Sequence, residues 1–275
     1  MTFSRKDLLI VAECLRDAAR AEIMPRFRSL NADQIRQKSS ALDLVTDADE
    51  AAERFMTARL KDLFPHCVVI GEESTEKDRS LLSKINEPDL LFILDPVDGT
   101  ANFASGLPLF GVMAAVVTKG EIIGGLIYDP MGEDWALSLR GEGAWFQALD
   151  SKTRDMKVAA PAPVHKMVGG VSWGFVDEPL RSTLTKNLSK TAAGISLRCA
   201  AHEYRLMASG HTHFTVYNKL MPWDHAPGWL MHQEAGGYSA LLDGSPYRPD
   251  IHKGGLLCAP DRASWHALHD ALLIP

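Results

Sequence analysis

The chain has 275 residues, 46% of them hydrophobic and 23% charged, with a formal net charge of −6. That balance excludes a fibrous or disordered chain, and an acidic excess leaves no electrostatic footprint for nucleic acid. No run reaches the ~18 consecutive apolar residues of a membrane span. Arg5, Lys6 and Asp7 sit in an amphipathic pattern unlike an export signal, and Cys14, Cys67, Cys199 and Cys258 form no Cys-x-x-Cys pair. The expectation is a cytoplasmic protein with free thiols, long enough for one large domain or two lobes.

Along the chain, Ser4 with Asp7 reads as a capping box, and apolar residues from Leu8 to Ile23 at helical spacing predict a first helix ending near Pro25. Thr46 with Asp49 predicts a second start, followed by an apolar stripe that stops at Phe64-Pro65. Cys67 to Ile70 predicts a short strand running into Gly71-Glu72-Glu73-Ser74, and Leu90 to Leu94 a buried strand running into Asp95-Pro96-Val97-Asp98-Gly99-Thr100, a turn shaped by Pro and Gly. Strands follow at 112–118, 121–128 and 135–140, with Asp129 to Gly132 as a turn and Trp145-Phe146 as core residues of a hairpin. The Pro/Ala-rich stretch Val158 to Pro163 marks a lobe boundary, giving lobes 1–157 and 158–275. The second lobe alternates a strand at 167–171, helices near 178–190 and 200–209, a strand at 214–217, and a helix with Asp224 at its N-cap. Such an order favours mixed α/β layers.

Asp95 and Asp98 are the most informative residues. Carboxylates crowded beside a core repel each other and lose hydration, so they persist there chiefly when a cation neutralises them. Carboxylate and carbonyl oxygens suit Mg²⁺, which leans on substrate phosphates to complete its shell. Glu72-Glu73 repeats the pattern at the end of another apolar run. Taken with Lys38-Ser39-Ser40, Asp43 to Thr46, Asp49, Asn102-Phe103, Trp223-Asp224 and Glu234-Ala235-Gly236-Gly237, these motifs span residues 38–237 in order. In them the chain resembles the inositol monophosphatase family, the magnesium-dependent, lithium-sensitive sugar phosphatases.

The resemblance implies a layered α-β-α-β-α sandwich of two lobes with the site in the cleft between them. It implies that Glu72, Asp95, Asp98 and Asp224, with the carbonyl of Val97, hold two or three Mg²⁺ ions, Glu73 being the competitor of Glu72. It also implies that Asp49 and Thr100 form a hydroxyl-carboxylate pair that orients and deprotonates the attacking water. Asp49 equally fits a capping role three residues after Thr46, and the two roles are compatible. Gly99 and Thr100 would turn N–H groups toward the phosphate if a helix begins there. Lys38 and Asp43 are expected to order a loop.

Substrate-side residues by resemblance are Asp98, Gly99, Thr100, Ala201, Asp224, Arg198 and Tyr217. Inositol-hydrolysing members carry Glu seven residues before the Trp-Asp acid, where this chain has Tyr217, and their Gly-Thr/Ser-Ala-Ala stretch aligns with Arg198-Cys199-Ala200-Ala201. Arg198 either binds a second anionic group or is solvated at a helix start. His211 and His213 alternate on a strand-like run and His202, His225 and His232 scatter along helices, without zinc-type spacing.

The expected function is Mg²⁺-dependent hydrolysis of inositol 1-phosphate or a related sugar phosphate. Alternatives are a histidinol phosphatase, suggested by Gly106-Leu107-Pro108, a fructose bisphosphatase, suited by Arg198, a nucleotide bisphosphatase, from which Asn102-Phe103 leans away, and a metal-binding regulator without turnover. The partners expected are a small phosphorylated substrate and, by resemblance, a second copy in a homodimer, with no nucleic acid and no membrane.

Overall fold

The computed structural model describes residues 3–38 and 44–274, so Ser39, Ser40 and Asp43 of the upstream motif lie outside the described residues. Helix α1 (Arg5–Ala18) starts on the expected capping box, the Asp7 carboxylate accepting from Ser4 N and Ser4 Oγ from Asp7 N. Its apolar stripe continues through a π turn at Ala19–Ile23 and a 3-10 turn at Met24–Arg26. Pro25 has no N–H to extend an α ladder. A ribbon of β1 (Ile35–Gln37) and β2 (Leu44–Thr46) then leads into α2 (Asp47–Leu63).

One sheet contains β3 (Val68–Gly71), β4 (Leu91–Asp98), β5 (Gly111–Thr118), β6 (Glu121–Asp129), β7 (Asp134–Leu139), β8 (Gly143–Ala148) and β9 (Thr153–Asp155), in that spatial order. The pair β3 and β4 is parallel and the later pairs are antiparallel. Two short helices, α3 (Glu72–Lys77) and α4 (Thr100–Ala104), follow β3 and β4. The other large sheet has the order β11 (Ala193–Ile195), β10 (Val168–Val171), β12 (Phe214–Tyr217), β14 (Leu256–Ala259), β13 (Tyr238–Leu241). Its helices are α5 (Leu180–Asn187), α6 (Ala200–Ala208), α7 (Pro222–Glu234) and α8 (Arg262–Leu273).

Strand alternation assembles these pieces into layers. Phe92, Leu94, Val112, Ala114 and Val116 face α1 and α2, packing on Leu8, Leu15, Met56 and Leu60. Ile93, Met113, Ala115 and Ile127 face the opposite way, onto Tyr204 and Met207 of α6 and Ala226 and Leu230 of α7. That same cluster takes in Tyr217, Leu256 and Cys258 of the second sheet, whose other side packs Phe214, Val216 and Leu257 against Leu184 of α5 and Leu268 of α8. The result is the expected α-β-α-β-α sandwich.

Local structure departs from the sequence reading in three places that bear on the site. The Asp95 to Asp98 segment is not a turn after a strand but the end of β4, with a register shift against β5 between the two acids. Pro96 has no N–H for the ladder, so the strand bulges there and continues. Asp224 is not an N-cap: Met221 holds that place and Pro222 starts α7, as a residue without N–H favours, leaving Asp224 as the third helical residue. His211 and His213 precede β12, with Val168 N donating to His213 Nδ1.

Candidate active site

The floor of the site is where β4 ends and α7 begins. Asp95, Asp98 and Asp224 each bring a carboxylate oxygen within 4.8 Å of the other two. Asp95 is 1% and Asp98 9% exposed. Burial first, then the neighbouring carboxylates, raises Asp95 well above the usual range and Asp224 to about 8. Asp98 is also raised by burial, although Ala201 N and the Cys199 thiol donate to its Oδ2 at 2.6 and 2.9 Å. Three hard oxygen donors that repel one another at this spacing fit a divalent cation such as Mg²⁺. The Val97 carbonyl already accepts from Thr100 Oγ1 at 2.9 Å, and its second lone pair is left for another partner.

Next to this floor the two carboxylate oxygens of Asp49 face different partners. Its Oδ2 accepts from Thr46 N at 2.9 Å and from Thr46 Oγ1 at 2.5 Å, which completes the box that starts α2. Its Oδ1 faces Thr100 Oγ1 at 3.1 Å. Asp49 is fully buried, and burial pushes its pKa up to about 6 despite the Thr46 bonds, with Glu72 adding to the rise. Gly99 provides the left-handed residue, φ +86°, on which α4 begins, so Thr100 is the first helical residue as expected.

Glu72 and Glu73 open α3 after the tight residue Gly71. Buried Glu53 of α2 caps that helix, Glu73 N donating to Oε2 at 2.7 Å and Ser74 N to Oε1 at 2.8 Å. Lys38 Nζ donates to Glu72 Oε1 at 2.8 Å and Glu73 Oε1 at 2.6 Å. Burial opposes the charge on Lys38, and the two carboxylates outweigh it and raise its pKa. Glu72 lines the cavity but stands outside the group of three acids, while Glu73 is 5% exposed and raised to about 8, mainly by burial. Of the two, Glu72 is the one on the cavity wall.

The cavity above the acids encloses about 540 Å³. Asp98, Gly99, Thr100, Arg198, Tyr217 and Asp224 all line it, so the residues expected on the substrate side are gathered except Ala201, a buried residue whose N–H is committed to Asp98. Arg198 is not at a helix start: it stands two residues before α6 at φ +53°, the left-handed region a Gly occupies without strain, and its Nη2 donates to Asn102 Oδ1 at 2.9 Å. Tyr217 is buried, and its hydroxyl lies near Glu203 without hydrogen-bond geometry. Glu203, raised to about 7 mainly by burial, accepts from Leu197 N at 3.1 Å and so braces the segment carrying Arg198.

Sequence reasoning missed Glu53, Glu203 and the Cys199 contact, each a single residue on an otherwise apolar helix face or helix start. It also missed the wall formed by Trp173, Phe175, Arg181 and Lys219. Aromatic residues around Gly174, directly after the apolar run at 167–171, were the available signal. The sequence model of the Inositol monophosphatase family matches residues 5–274. An inositol monophosphatase of Dictyostelium discoideum is 31% identical over 223 residues, 79% of this chain and 78% of that one. The Nus factor SuhB of Pseudomonas aeruginosa is 31% identical over 215 residues, 76% of each chain. The crystal structure of the extragenic suppressor protein suhB from Bartonella henselae superposes with a TM-score of 0.79 at 27% identity, covering 96% of this chain and 97% of that one. With its fold, its acid cluster and a match over nearly its whole length, the chain belongs to the inositol monophosphatase family, a family of phosphatases.

Proposed function

We propose that this protein hydrolyses inositol 1-phosphate or a related sugar phosphate with the help of Mg²⁺ held by Asp95, Asp98, Asp224, Glu72 and the Val97 carbonyl. The observation that carries this reading is the meeting of three carboxylates beside the Asp49–Thr100 pair. When bound, the cations supply positive charge to the oxygens of a phosphate dianion, the largest lever on a very slow hydrolysis.

The chain's own residues do the rest. Thr100 Oγ1 has one proton and two oxygens to give it to, Asp49 Oδ1 and Val97 O. When it donates to Asp49 Oδ1, a lone pair of Oγ1 is free to accept from an attacking water, so that Oγ1 takes the water's proton as its own passes to Asp49; donation to Val97 O is the resting alternative. An Asp49 carboxyl raised to about 6 by burial is a better acceptor than an ordinary aspartate and is still mainly ionised at neutral pH. Gly99 and Thr100 line the cavity, and in this reading their N–H groups orient the phosphate. Lys38 holds Glu72 at the edge of the site.

The reading extends to lobes 1–157 and 158–275, a homodimer, inhibition by Li⁺ and a cytoplasmic location. Among the described residues no helix is long and apolar enough to cross a membrane. The relative named a Nus factor suggests a second role in binding, but the intact Asp49–Thr100 pair favours turnover. The test is phosphate release from inositol 1-phosphate with added MgCl₂, in the parent protein and in Asp224→Asn. Activity in the parent with a loss of at least 100-fold in the variant is expected; equal rates would refute the reading.

A further inference from the structure

Asp224 reaches the acid cluster from α7, whereas Asp95 and Asp98 come from β4, and carboxylates that repel one another at this spacing have to be held in place by their surroundings. Helix α6 holds both sides of the cluster. At its start the Cys199 thiol and Ala201 N donate to Asp98 Oδ2 at 2.9 and 2.6 Å. Three residues after Ala201, fully buried Tyr204 places its hydroxyl 3.2 Å from Nδ1 of His225, the neighbour of Asp224 in α7. The other ring nitrogen of His225, Nε2, lies 2.8 Å from the Lys219 carbonyl, in the short link between β12 and α7.

A carbonyl only accepts, so Nε2 carries the proton, and Nδ1 of the neutral ring accepts from the Tyr204 hydroxyl. Both bonds therefore run one way, from Tyr204 through His225 to the backbone that enters α7. The ring is also held face-on, its centre 4.6 Å from that of Tyr217, which in turn lies 5.3 Å from that of Tyr204. Helix α7 is shaped for this partner: a Cβ on buried Gly228, three residues after His225, would come within 2.1 Å of the Tyr204 ring. A helix interior disfavours Gly, and here it admits the ring. We propose that Tyr204 and His225 are positioning residues that set where Asp224 stands relative to Asp98, so that the affinity of the acid cluster for Mg²⁺ depends on a hydroxyl buried behind the cavity wall. This deepens the metal-dependent reading of the site and rests on it. Groups that orient metal ligands through hydrogen bonds are typically worth about 10- to 100-fold in metal affinity.

The test is calorimetric titration of Mg²⁺ into the metal-free full chain, comparing the parent with Tyr204→Phe, His225→Phe and the double variant. Tyr204→Phe keeps the ring beside Gly228 and removes only the oxygen. Each single variant should bind Mg²⁺ about tenfold more weakly, and the double variant should be little weaker than His225→Phe, because the two side chains act as one unit. With inositol 1-phosphate, the Mg²⁺ concentration for half-maximal rate should rise by the same factor, while kcat at saturating Mg²⁺ stays within about threefold of the parent. Leu268→Ala, in the outer layer on α8, controls for general loss of stability: its thermal midpoint should fall with Mg²⁺ affinity unchanged. Unchanged Mg²⁺ affinity in Tyr204→Phe, additive losses in the double variant, or an equal loss in Leu268→Ala would overturn the proposal. If the parent binds no Mg²⁺, the metal reading itself fails, and crystal structures of the metal-free parent and Tyr204→Phe decide the positioning role. An Asp224 carboxylate displaced by more than about 0.5 Å supports it; coincident carboxylates refute it.

Discussion

Asp49 shows how much one residue can carry. The Thr46–Asp49 spacing was readable as a helix start, and the structure places one carboxylate oxygen there while the other faces Thr100 from 51 positions away in sequence. No periodicity reports a contact across that distance; the motif resemblance did. If Asp49 and Thr100 act as one proton-accepting unit, Asp49→Asn and Thr100→Ala should each lower kcat by ~10² to 10⁴, and the double variant should be little worse than either. Asn retains an oxygen for the cap, so its thermal midpoint should move by no more than ~1 kcal/mol of stability implies. Measuring kcat and midpoint on the same three proteins separates the roles: a lowered midpoint with kcat within a few-fold of the parent would leave Asp49 as a cap alone. Arg198 was legible as a departure from a Gly but not as a strained one, because φ +53° follows from where the chain must turn between β11 and α6.

Among elements, β4 and α3 deliver most of the acids, and both depend on something the sequence reading did not contain. A Pro in an acidic stretch signalled a turn, yet the neighbouring β5 kept the segment in the sheet with one bulge. For α3 the missing element was its cap, since Glu53 sits among Ala52, Met56 and other core-facing residues of α2 and looks like a helix former. Its carboxylate satisfies two N–H groups at the start of α3, and a Cβ on Gly71 would come within 2.2 Å of its carboxyl carbon. Glu53→Ala should therefore lower stability by ~2 to 4 kcal/mol through orphaned buried donors, and Glu53→Gln by less, as one oxygen remains. Both should reduce activity by displacing Glu72. Urea unfolding checks the order; equal stability of Glu53→Ala and parent would remove the capping account.

At the scale of the molecule, α1 and α2 were legible because each shows one apolar stripe, and the antiparallel strands because they are short apolar runs bounded by turns. The two helices of the middle layer, near 200–209 and after Asp224, were legible as helices but not as a layer between sheets, because α7 is covered all round: Trp223, Ala226, Gly228, Leu230 and His232 are all buried, so its pattern has no single stripe. The short strands β13 and β14 and helix α8 also escaped notice, being small pieces whose pairing is set by the sheet they complete. Burial in that middle layer holds His232 neutral, its pKa pushed down to about 3 by burial. The unfolded chain binds that proton below about pH 6.5 while the folded one does not, so the contribution is full above pH 6.5 and is lost as pH falls. Between pH 7 and 5 the parent should lose ~2 kcal/mol relative to His232→Gln. Parallel stability–pH curves for the two proteins would contradict this. The central claim, that the acid cluster is a cation site on which catalysis depends, is tested most directly by stripping the protein with EDTA, dialysing it, and titrating Mg²⁺ back while following heat of binding and phosphate release on one sample. The account predicts no activity in the stripped protein, recovery that tracks Mg²⁺ binding, and neither binding nor recovery in Asp95→Asn; full phosphate release from the stripped, chelated protein would contradict it.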